Sequence, residues 1–133
     1  VSTKGPVGMF SDGGYPGGKI YNTDVPDEEK ATYVANKIAE GKLRQFTYML
    51  LPNDHGVGIQ PGLPTPESMV ADNDLGIGIV VDALSKSQYW DKSMVIILED
   101  DPQGCGDHVD PHRSFMMIIS PYARRGYVSK VHY

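Results

Sequence analysis

The chain has 133 residues, a formal net charge of -5 and a pI near 5.2, long enough for one domain with a buried core. No Lys or Arg cluster interleaves with aromatics into a phosphate-tracking surface, which argues against nucleic acid as a partner. No apolar run approaches the ~20 residues that span a bilayer. The single cysteine, Cys105, excludes an internal disulfide and leaves the redox compartment open, and no charged-then-apolar leader is present.

Residues 1 to 19, with Gly13-Gly14-Tyr15-Pro16-Gly17-Gly18, predict an irregular leading segment without readable chemistry. Asp24-Val25-Pro26-Asp27-Glu28-Glu29 then announces a helix, with acids in the first turn where the dipole favours them. It is predicted to run to Glu40 and stop at Gly41, burying Ala31, Val34 and Ile38 with Tyr33 as one stripe. Phe46 to Leu51 has the composition of a strand and ends in Pro52-Asn53-Asp54-His55-Gly56. A Gly/Pro loop leads to Pro66-Glu67-Ser68, which opens a second helix reaching about Ser87. There Val70, Asn73, Ile77, Val80 and Leu84 recur at spacings of three and four, predicting a core face on which Asn73 makes a buried hydrogen bond. Asp72 and Asp74 suit dipole compensation in the first turns better than metal ligation.

Trp90 and Asp91 close the connection into a β-branched run, Met94 to Leu98, with the composition of a central strand covered on both faces; Phe115 to Ile119 is a further strand. Strand, long helix, strand, loop, strand predicts an α/β fold, a largely parallel sheet flanked by helices and built on a βαβ crossover. Between the last two runs lie Glu99-Asp100-Asp101, Asp107, His108, Asp110 and His112. Ligands gather at the carboxyl ends of strands in such sheets, and closely spaced carboxylates repel one another unless a cation neutralises them. The loop therefore reads as a divalent-metal site, the alternative being a solvated acidic loop. Cys105 lies inside it, but neighbouring carboxylates disfavour the thiolate a metal would need. Arg124-Arg125, after Pro121, reads as a solvated turn.

Several stretches, in order, carry a family resemblance: Leu51-Pro52-Asn53-Asp54-His55, Pro64-Thr65-Pro66-Glu67-Ser68-Met69-Val70-Ala71-Asp72-Asn73-Asp74, Glu99-Asp100-Asp101, and Asp107-His108-Val109-Asp110-Pro111-His112-Arg113. Together they resemble bacterial phosphoesterases of the acid phosphatase and phospholipase C type, within the alkaline phosphatase superfamily. The likeness runs from about Tyr33 to Tyr133 and takes in Ser120-Pro121-Tyr122 and Arg124-Arg125-Gly126. It implies metal-dependent hydrolysis of a phosphate-ester substrate, with one or two divalent ions (Zn, Mn, Ca or Mg) at the carboxyl edge of the sheet. Asp100, Asp101 and His112 match ligand positions, and the loop of Asn53, Asp54 and His55 supplies a third contribution, so that these residues are expected to share one cleft. Asp107 and His108 are assigned to leaving-group protonation or substrate-phosphate binding, a task suited to an imidazole that titrates near neutrality. Export to the periplasm or beyond is expected only by that analogy.

The chain departs from the family pattern in one respect. No segment matches the Glu-Asn-His type metal motif that such enzymes carry near their start, nor their Ser or Thr nucleophile at a helix N-terminus. The resemblance therefore implies the C-terminal portion of one phosphoesterase domain, inactive by itself. Thr65 and Ser68 stand beside the second helix start, where capping is the simpler role. The competing function is a non-catalytic metal-binding or interaction module that keeps the fold. A sulfatase or phosphoglycerate mutase relative fits less well, because Asp100-Asp101 departs from their Asp-His pair.

Overall fold

The computed structural model describes residues 12–18, 21–99 and 114–131. The chain divides into two compact units, Val1–Ser87 and Gln88–Tyr133. Asp100, Asp101, Cys105, Asp107, His108, Asp110 and His112 lie outside the described residues.

The first unit is built on two helices, α1 (Asp27–Ala39) and α2 (Pro66–Ser85). α1 buries Ala31, Val34 and Ile38, the predicted stripe, and ends at Gly41, whose φ of 72° is one a side chain rarely adopts. α2 opens with Pro66 in its first turn, and Thr65 caps it by accepting a hydrogen bond from the Ser68 amide at 3.2 Å. Thr65 thus takes the capping role. Of the predicted stripe only Leu84 is buried: the buried face of α2 is Met69, Gly76 and Leu84, and Val70 is 51% exposed. The face is rotated because Gly76 allows the backbones to meet. A methyl group at Gly76 would stand 3.1 Å from the Asp27 carbonyl oxygen, so a larger residue fits that crossing only if the α1 backbone gives way by a few tenths of an ångström.

Residues 46 to 51 form no strand and pair with none among the described residues. Leu50 O accepts from the Tyr15 hydroxyl at 2.8 Å and Leu51 O from Asn73 Nδ2 at 2.8 Å, so side chains occupy two carbonyls that a neighbouring strand would use. Phe46 and Tyr48 face solvent.

In the second unit, Trp90–Lys92 forms a 3₁₀ turn before β1 (Val95–Leu98), which pairs with β2 (Met116–Ile119). The register matches Val95 with Ile119 and Leu98 with Met116, and the pairing is antiparallel. This corrects the expectation of a largely parallel sheet flanked by helices: the described residues hold two principal helices and a two-stranded antiparallel sheet. The βαβ expectation needed residues 46 to 51 as a partner strand, and they do not enter a ladder. Nor is β1 a central strand covered on both faces, since Ile96 and Leu98 are exposed. Ser114 Oγ donates to Glu99 O at 2.9 Å, and Ser120 Oγ to Ser93 O at 2.9 Å, extending the pairing just beyond each end of the ladder. Among the described residues no helix is long and apolar enough to cross a membrane.

Candidate functional site

The candidate residues that the structure describes are Asn53, Asp54 and His55, which form a 3₁₀ turn in the first unit. Pro52 supplies the carbonyl that accepts from the His55 amide at 3.2 Å, and Asn53 O accepts from the Gly56 amide at 3.0 Å. The turn can leave in its observed direction because Gly56 holds φ 68° and ψ 172°, a conformation essentially closed to other residues.

A buried polar network holds this turn from beneath. Asp27 and Lys30 are 0% and 2% exposed and form an ion pair with Lys30 Nζ 2.9 Å from Asp27 Oδ1. Lys30 Nζ also donates to Asn22 O at 2.8 Å. The other Asp27 oxygen, Oδ2, accepts from the Asn53 amide at 2.9 Å and from Asn73 Nδ2 at 3.0 Å. A buried carboxylate is costly unless paired and hydrogen-bonded, and here the pairing and the hydrogen bonds are both present. Asn73 makes the expected hydrogen bond, twice over from one amide nitrogen, but at a part-buried rather than a buried position.

Asp72 completes the network. α1 begins after Pro26, which offers no side-chain cap to the helix amides. The Asp72 carboxylate, arriving from α2, accepts from the Asp27 amide at 2.6 Å and the Glu28 amide at 3.3 Å. It therefore compensates a helix dipole, as expected of an acid near a helix start, but that of α1 rather than its own. Its Oδ2 also accepts from Asn53 Nδ2 at 2.7 Å. Asn53 is 5% exposed, and with its amide donating to Asp72 its Oδ1 is buried without a partner among the described residues. Flipping the amide would set oxygen against carboxylate, so the orientation is fixed by charge.

Above this base, Asp54 and His55 are exposed on the turn. His55 Nδ1 lies 2.9 Å from Gly56 O. A carbonyl oxygen only accepts, so Nδ1 carries the proton and the lone pair of the neutral ring lies on Nε2. The edge of the Tyr21 ring meets the imidazole at 5.3 Å between centroids and 75° between planes, which restrains the ring further. A histidine whose one nitrogen donates to a backbone carbonyl while the other remains basic is suited to ligate a metal or accept a proton. His55 and Asp54 are thus donors of the type a divalent ion takes. Asn53 faces inward and its amide nitrogen serves the network. Among the described residues no three His, Cys, Asp or Glu side chains are gathered as a metal cluster.

Sequence reasoning placed Asn53, Asp54 and His55 but missed Asp27, Lys30 and the bridging role of Asp72. The available signal was Pro26 ahead of Asp27: a helix whose N-cap residue has no side-chain acceptor needs one from elsewhere. No protein-family model, no curated protein and no solved structure matches the chain.

Proposed function

We propose that this chain contributes to metal-dependent hydrolysis of phosphate esters, of the phosphatase or phospholipase C type, by supplying part of a divalent-metal site. The observation that carries the reading is His55, whose Nδ1–H donates to Gly56 O and whose Nε2 is left basic on an exposed turn beside Asp54. The order of linked motifs from Leu51 to Arg113 supports the same reading. In it His55 and Asp54 are donors of ligand type; Asp100, Asp101 and His112 are ligand types, and Asp107 and His108 leaving-group acid or phosphate-binding types, by the resemblance alone. The ion would stabilise charge developing on the phosphoryl oxygens. Residues 1 to 133 match no Ser or Thr nucleophile motif of that family.

The test is calorimetric titration of the purified chain with Zn²⁺ and with Mn²⁺. Binding is expected, weakened about tenfold or more by His55→Ala or Asp101→Asn, the scale on which loss of a ligand or its support acts. A wild-type chain that binds neither ion, or variants that bind as well as wild type, would overturn the reading.

A further inference from the structure

We infer that Asp72 is a positioning residue for His55, acting through Asn53. The carboxylate bonds at once to the start of α1, through the Asp27 and Glu28 amides, and to the side chain of the 53–55 turn, through Asn53 Nδ2. Asn53 is bound twice, by its backbone amide to Asp27 Oδ2 and by its side chain to Asp72 Oδ2, which anchors the first residue of the turn. Residues 53 to 55 make one 3₁₀ turn, so the anchor at Asn53 sets where the His55 backbone sits. The His55 ring then lies where Gly56 O and the Tyr21 ring edge hold it, and Nδ1 keeps its proton.

Charge makes Asp72 hard to replace. Both acceptors on Asn53, Asp72 Oδ2 and Asp27 Oδ2, are carboxylate oxygens, and hydrogen bonds to ionised acceptors are roughly twice as strong as neutral ones. Loss of Asp72 leaves the Asn53 amide and two helix amides without their acceptor at one stroke. Asn53 then keeps its backbone bond to Asp27 but loses its side-chain anchor, and on this inference the imidazole exchanges between tautomers.

As a device for capturing a metal this rests on the phosphoesterase reading; as a determinant of the His55 tautomer it does not, and the experiment separates the two. The ¹⁵N resonances of the histidine rings are recorded at pH 8 for wild type, Asp72→Ala and Leu84→Ala, with His55→Gln assigning the His55 signals. Leu84 is buried at the far end of α2, so its truncation loosens the same helix without touching the turn. Wild type and Leu84→Ala are expected to show Nε2 as the unprotonated nitrogen of His55, and Asp72→Ala the averaged shifts of a tautomer mixture. Should Asp72→Ala not fold, Asp72→Ser, which folds the same helix with a side chain too short to reach Asn53 Nδ2, is read the same way. Unchanged His55 shifts in the Asp72 variant, or equal changes in Leu84→Ala, overturn the inference. Zn²⁺ titration of the same proteins is expected to show about tenfold weaker binding in Asp72→Ala. If wild type binds no zinc while the tautomer still depends on Asp72, the phosphoesterase reading fails and the positioning role stands.

Discussion

Tyr15 illustrates how one side chain ties a segment without regular structure to the helical unit. Its hydroxyl donates to Leu50 O at 2.8 Å and its ring meets Tyr33 edge-on at 6.2 Å between centroids. Burial, reinforced by the negative charge of Asp27, pushes the phenol well above its ordinary pKa. Because the folded value is raised, the neutral phenol contributes stability that is fully present below about pH 10, the unfolded value, and is lost as pH rises toward the folded one. Tyr15→Phe is expected to cost about 0.5–1.5 kcal/mol at neutral pH, the worth of one hydrogen bond, and to flatten the alkaline decline in Tm above about pH 10. An equally steep decline in the variant would assign it to other tyrosines. Nothing in the Gly/Pro-rich leading segment reveals this anchor, since a lone tyrosine has no periodicity to read.

At the scale of elements, helix existence and caps were legible and the faces only partly so. Pro66 after Thr65 and Gly41 after Glu40 are local signals, readable because capping depends on a few adjacent residues. The buried face of α2 was misplaced because periodicity weighs hydrophobicity, whereas contact between α1 and α2 is set by the absence of a side chain at Gly76. Gly76→Ala is expected to destabilise by about 1–3 kcal/mol, because its new methyl meets the Asp27 backbone rather than a flexible side chain. Gly78, with nothing within 4 Å of a methyl added there, should gain about 0.5–1 kcal/mol on substitution by Ala through helix propensity. Urea unfolding midpoints of the two variants check this, and shifts of the same sign would show that the helices are free to separate at Gly76.

For the whole molecule, the proposed phosphoesterase reading gives residues 1 to 133 metal-ligand types but no match to that family's nucleophile motif. The chain of residues 1 to 133 is therefore expected to hydrolyse p-nitrophenyl phosphate at background rates with Zn²⁺, Mn²⁺ or Ca²⁺ present, because a missing nucleophile costs several orders of magnitude. Robust turnover that survives Asp100→Asn and Asp101→Asn would remove the basis for placing these acids in the site.

The sequence by itself determined the two helices, the Thr65 cap of α2 and the Gly41 stop of α1, the α1 stripe, the two apolar strands around the acidic segment, and a polar Asn53-Asp54-His55 turn. These follow from composition and spacing within a few residues. Only the tertiary structure decided that residues 46 to 51 stay unpaired, that β1 and β2 run antiparallel, and that Asp72 caps α1 while holding Asn53. The reason is physical: an apolar run fixes a tendency to extend but not a partner, and a carboxylate bonds to whichever amides folding brings to it. Asp27 and Asn53 are 26 residues apart, and Asp27 and Asp72 are 45. Over such separations local pattern carries no information, and the closeness of the two helix backbones at Gly76 decides instead.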